Sequence, residues 1–318
     1  MSEASRLRRA VSALMVAASV AGPISGAARP QAVAAPVPAP LTPLRAVPED
    51  LAVRYAAARD GIMAAERLAR RRGDLWRAAR LRDMAGPGRR FLFFDGRDGG
   101  RAAEVFGDLA TARRIAVVVP GSDTSLDKYG LLRGGSLRLH GELGERSAVV
   151  AWLGYRTPAT VSLAVLTPDH AEAGARDLRA FVRELDAARP GARISLLCHS
   201  YGAAVCGRAA PGLDVSAIVF AGAPGAAVDD AAALRTRAEV WAGRGTGDWI
   251  AHVPHARIRL PLTTLGLGPD PVSPAFGARV FPAGDGGHSD YLRAGSLSLR
   301  SIARIVSGRA PLRAVGGA

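Results

Sequence analysis

Four apolar runs constrain this chain more than anything else in it: "RIAVVVPG" (114–121), "AVVAWLGY" (148–155), "RISLLCHS" (193–200) and "VSAIVFAG" (215–222). A strand with one wet face alternates apolar and polar residues. An uninterrupted apolar run suits a strand buried on both faces. "AEVWAGRG" (238–245) and "ARVFPAGD" (278–285) repeat the signal. Helical patterns separate several of these runs: "AGARDLRAFVRELDAA" (173–188), "YGAAVCGRAA" (201–210), "DDAAALRTR" (229–237) and, at the end, "SDYLRAGSLSLRSIARIVSG" (289–308). Strands alternating with helices predict an α/β architecture, a mostly parallel central sheet with helices on both faces. Ahead of it, "RFLFFD" (90–95), a turn at "GRDGG" and "RAAEVFGDL" (101–109) predict a hairpin.

The chain upstream divides by composition. Residues 1–34 have the outline of a secretory signal: Arg6, Arg8 and Arg9, an apolar run from Ala10 to about Ala21, then small residues suited to cleavage near Ala27 or Ala34. The run is shorter than the roughly 20 residues of a membrane span. Residues 35–48 read as an extended Pro/Ala linker. A helical segment covers 49–89, with Gly61 and Gly73 expected to break or bend it and its arginines expected to be solvated. Residues 90–308 are the expected catalytic domain, and 309–318 a flexible tail.

One run ends oddly. "RISLLCHSYGAAVCGRAA" passes from strand to helix with almost no turn, through Cys198, His199, Ser200, Tyr201 and Gly202. A tight strand-to-helix turn projects a side chain from the sheet, and crowding there demands small residues two before and two after it. Cys198 and Gly202 qualify, although the usual pattern, G-x-S-x-G, has glycine at both places. Alone, Ser200 also fits an ordinary helix N-cap. A serine becomes a good nucleophile when a histidine takes its proton and a carboxylate orients that histidine. Asp248, in "GRGTGDWIAHVPH", and His288, in "GDGGHSDYL", follow later strands and supply those types. Their competitors are weaker. Asp214 precedes its strand, and Asp285 and Asp290 flank His288 as loop and cap residues. His252 and His255 follow Asp248 too closely to approach it. His199 should point away from Ser200, and His140 and His170 fall in loops.

An oxyanion would be met by the backbone N–H of Tyr201 and by that of Gly121 or Ser122, in the loop after the first buried run. The stretches 155–168 and 260–277 are placed to roof the site, or are plain surface connections. Cys198 and Cys206 are too few for a disulfide scaffold. Their expected separation is doubtful for a bridge, which favours two small buried thiols.

"GRAAEVFGDLATARRIAVVVPGSDTSL", "AVVAWLGYRTP", "LLCHSYG", "GTGDWI" and "GGHSDYL", in this order, resemble the actinobacterial α/β-hydrolase family once described as a domain of unknown function, DUF1023. The resemblance covers about residues 90–308. It implies an α/β-hydrolase fold and a triad of Ser200, Asp248 and His288, and it implies no substrate. The expected activity is that of a serine hydrolase, esterase- or lipase-like, on a small-molecule ester or similar acyl compound, with a peptidase as the neighbouring alternative. Neither a metal nor an organic cofactor is expected. The competing expectation is an idle α/β-hydrolase fold serving as a binding or cell-envelope interaction module.

The net charge of +14 invites a nucleic-acid partner. Residues 1–90 hold 16 basic and 7 acidic residues, so most of the excess lies outside the expected catalytic domain. With aromatics at 5% and no recognition motif, no nucleic acid is expected. The expected location is secreted or associated with the cell envelope, the latter contact transient. Oligomeric state is not legible.

Overall fold

Every one of the four apolar runs forms a strand within a single eight-stranded sheet. The computed structural model describes residues 34–160, 169–259 and 264–312; the signal-like segment up to residue 33 lies outside them. The strands are β1 (Phe91–Asp95), β2 (Arg101–Gly107), β3 (Arg114–Val119), β4 (Ser147–Leu153), β5 (Arg193–His199), β6 (Ala217–Ala221), β7 (Glu239–Gly243), a separate ribbon of β8 (Ile258–Arg259) and β9 (Thr264–Leu265), and β10 (Arg279–Val280). The helices are α1 (Pro48–Arg71), α2 (Leu75–Met84), α3 (Gly130–Leu143), α4 (Asp169–Ala188), α5 (Gly202–Ala209) and α6 (Leu297–Val306). The large sheet runs β1-β2-β4-β3-β5-β6-β7-β10. β1 and β2 form the expected hairpin, and β2 is also antiparallel to β4; the remaining pairs are parallel.

Consecutive apolar residues are required because both faces are covered. Val117, Val119, Leu196 and Ile218 face a layer containing Leu178 and Val182 of α4 and Val205 of α5. Val118, Leu197 and Val219 face Ile62 of α1, Leu81 of α2, Leu139 of α3 and Ile302 of α6. From β3 the chain moves to β4 on one side, then returns to β5 on the other. That reversal falls at the carboxyl ends of β3 and β5, the place where open parallel sheets generally bind their ligands. Gly121 and Ser200 both stand there.

Several expectations need correcting. Gly73 follows the end of α1 with φ +78°, but Gly61 lies inside the helix, which runs through it unbroken. The arginine face is only partly solvated. Arg54 is buried and donates to Leu92 O, Thr42 O and Glu184, while Arg77 is buried against Asp127 and Gly96 O. The linker has no regular structure, yet its Leu44 and Ala46 join the core. Residues 229–237 make one tight turn, Ala232–Leu234, instead of a helix. The final helix begins only at Leu297, capped by the Ser296 hydroxyl, which accepts from Leu299 N–H. His140 and His170, expected in loops, lie in α3 and the first turn of α4.

Candidate active site

The turn after β5 is held from three directions. Ser200 takes φ +54°, the left-handed region, at a cost of about 1–3 kcal/mol for a residue with a side chain. Its N–H donates to Ala221 O of β6, and Gly202 then opens α5. A Cβ at Gly202 would lie 2.6 Å from the carbonyl oxygens of both Val119 and Pro120, so only glycine lets the helix approach β3 this closely. The third restraint is covalent. Cys198 and Cys206 form a disulfide, contrary to the expectation of two thiols. The sharp reversal brings their Cα atoms to 6.3 Å, inside the bridging range. Both residues are fully buried, as expected.

Asp248 lies in the loop beyond β7 and is buried. It caps a short turn, Trp249–His252, by accepting from Ile250 N–H at 2.9 Å. Its carboxylate also accepts from the Tyr291 hydroxyl at 2.5 Å and from His288 Nδ1 at 2.9 and 3.1 Å. Burial pushes its pKa upward, but the hydrogen bonds from His288, Tyr291 and Ile250 outweigh burial and hold the carboxyl below its ordinary value. Tyr291 in turn accepts from Gly245 N–H.

His288 follows β10 and places Nε2 2.9 Å from Ser200 Oγ. The three side chains expected to converge therefore form one continuous line of hydrogen bonds. The histidine loop is held by polar contacts: Thr246 N–H donates to Gly284 O, Gly287 N–H donates to Asp290 Oδ2, and His199 Nε2–H donates to His288 O at 2.7 Å. The His199 ring also packs on that of His288, with centroids 4.7 Å apart. Burial, first, and the neighbouring His288 push the His199 pKa down to about 4.

The other histidines and carboxylates stay out of this line. His255 sits with its ring nitrogens 2.8 and 3.1 Å from Pro224 O and Ile250 O. His252 is exposed on the turn after Asp248, and Asp214 is exposed beside Arg237 ahead of β6. Asp285 is exposed, while Asp290 serves its own loop.

Tyr201 is the cap residue of α5. Gly121 lies directly against the turn after β5, where an added Cβ would come within 2.6 Å of Ser200 Cβ. The loop that carries Gly121 and Ser122 is braced by the next one. Tyr155 donates to Pro120 O, Thr157 donates to Thr124 O, and Asp123 N–H donates to Pro158 O. Of the two stretches expected as a roof, 161–168 and 260–263 lie outside the described residues. Sequence reasoning gave no role to Tyr155, His199, Trp249 or Tyr291. Among the described residues, no group of three or more His, Cys, Asp or Glu side chains is arranged to hold a metal ion.

Residues 95–258 match the family described as Alpha/beta hydrolase. An uncharacterized protein found in two strains of Mycobacterium tuberculosis is 30% identical over 253 residues, which take in 69% of this chain but 38% of that protein. The chain thus spans well under half the length of the curated relatives it matches. Among solved structures, a serine hydrolase without a lid from Xanthomonas campestris is 18% identical, covering 70% of this chain and 94% of its own, with TM-score 0.42. An esterase domain from Rhodothermus marinus is 15% identical, with 66% and 91% covered and TM-score 0.38.

Proposed function

Because the chain belongs to the α/β-hydrolase family, we propose that it is a serine hydrolase working through an acyl-enzyme on a small-molecule ester or similar acyl compound. Ser200 is the nucleophile, His288 carries the proton, and Asp248 orients His288. The observation that carries this reading is the unbroken line from Asp248 Oδ1 through His288 Nδ1 and Nε2 to Ser200 Oγ, with 2.9 Å at each step.

With Nδ1–H donating to Asp248, the His288 Nε2 lone pair faces the serine hydroxyl. Ser200 Oγ bonds to the substrate carbonyl carbon as its proton passes to Nε2, and Asp248 stabilises the resulting imidazolium. The oxyanion accepts from Tyr201 N–H and from Gly121 or Ser122 N–H, each such donor contributing on the order of 3 kcal/mol. The carbon–oxygen bond to the leaving group then breaks, and the leaving oxygen takes the proton from Nε2. Water, deprotonated by the same imidazole, attacks the acyl-enzyme and frees Ser200. The narrower kinship with the actinobacterial family belongs to this reading too, on the motif blocks quoted above.

A fluorophosphonate probe tests the assignment. Wild type should label at Ser200 and Ser200→Ala should not; esters of varied chain length should lose about 10⁶-fold in turnover with that variant. Ester cleavage that survives in Ser200→Ala would overturn it. We also propose that the protein is exported and acts outside the cytoplasm or at the cell envelope, a reading supported by its buried disulfide, since such bonds persist in oxidising compartments. Protein from its native host that still begins at Met1 would contradict export.

A further inference from the structure

Beside the line of hydrogen bonds stands a large aromatic residue that the mechanism above does not use. Trp249 is 47% exposed, and its ring centroid lies 4.9 Å from that of His288, tilted by 53°. An exposed tryptophan elsewhere on a surface needs no explanation. This one is placed by the site itself. The turn Trp249–His252 is capped by Asp248, so the carboxylate that orients His288 also fixes the start of the segment carrying the indole. Half of a rigid apolar face is thereby kept open to solvent next to the proton carrier.

Which part of a substrate meets that face follows from the chemistry. The leaving oxygen must come within hydrogen-bond reach of His288 Nε2 to receive its proton. The acyl carbonyl is held on the other side of Ser200, towards Gly121, which packs against the serine. A group attached to the leaving oxygen is therefore the part next to the imidazole and its indole neighbour. We infer that Trp249 forms a subsite for the leaving group and selects esters of flat, aromatic alcohols, which stack on the indole. This inference rests on the serine-hydrolase reading and names the substrate class that the reading leaves open.

The test compares two acetate esters, one of a phenol and one of a fluorinated aliphatic alcohol matched to it in acidity, so that chemistry is equal and only shape differs. Wild type should favour the aryl ester in kcat/KM by about tenfold, and Trp249→Ala should lose about tenfold on the aryl ester and no more than about twofold on the other, the size of one aromatic stacking contact. Trp249→Phe should keep most of the preference. Deacylation, which begins after the leaving group has gone, should proceed at the same rate in wild type and Trp249→Ala, as measured from burst kinetics. Equal losses on both esters, no loss on either, or no aryl preference in wild type would each overturn the inference while fluorophosphonate labelling of Ser200 still stood. Failure of wild type to label would instead remove the serine-hydrolase reading, and this inference with it.

Discussion

Ser200 and His288, proposed above as nucleophile and base, are held by opposite means. Ser200 stands on a turn closed by strand pairing, by close contact at Gly202 and by a disulfide across residues 198 and 206. His288 stands on a coil positioned by polar contacts from Asp248, His199, Asp290 and the loop after β7. A strained backbone needs rigid support, because left-handed φ is given up as soon as its surroundings loosen. An imidazole that changes charge during turnover needs partners matched to both charge states. The first region should therefore register damage as lost stability, the second as lost activity or altered pH response.

The largest effect separates the two most clearly. His288→Ala should reduce turnover by about 10⁶-fold. Its cost in stability should be only about 1–2 kcal/mol, since Tyr291 and Ile250 N–H still satisfy Asp248. Ester kinetics and urea unfolding on one preparation check both halves.

Next comes the pH response of the histidine loop. His199 is pushed down to about 4 in the folded protein, whereas the unfolded chain holds it near 6.5. Between those values the unfolded state binds the extra proton, so stability is full above about pH 6.5 and is lost as pH falls towards 4. The loss is on the order of 3 kcal/mol. His199→Gln should flatten the stability–pH curve in that window by about one proton. An unchanged slope would mean that the burial of His199, with His288 beside it, does not govern acid sensitivity.

The disulfide gives the smallest of the three. Its loop spans a sequence separation of 8, and replacing both cysteines by alanine should cost about 2–3 kcal/mol on the chain-entropy account. Turnover of the folded fraction should stay within about tenfold. A variant as stable as wild type but nearly inactive would break the comparison, by making the bond a device of catalysis.

What the sequence made legible was whatever depends on pattern or on local crowding. Consecutive apolar residues required doubly buried strands, and β3 to β7 stand where the runs predicted. The abrupt turn after β5 could be read because a strand entering a helix without a loop has few solutions. The missed features are those that tertiary contacts decide. α3 went unnoticed because "GLLRGGSLRLHGEL" carries four glycines, which disfavour an isolated helix. It forms because Leu132, Leu139 and Leu143 bury one side, and because Gly135 lets Leu292 approach. Residues 229–237 erred the other way, with alanines favouring a helix that no packing completes. The disulfide was misjudged because distance along the chain hides how far the turn folds back. Trp249 and Tyr291 stand inside the quoted blocks "GTGDWI" and "GGHSDYL", but nothing in those blocks says what the two rings touch; that depends on where Asp248 and His288 bring them.

The buried sulfur pair has one more consequence. Neither Cys198 nor Cys206 has any surface in contact with water, so no small oxidant or thiol meets them once the core has closed. The bond must be made while the chain is still open, and afterwards it is sheltered from its surroundings. It is thus a fossil of the oxidising place where the molecule was assembled, preserved through whatever the finished molecule later meets.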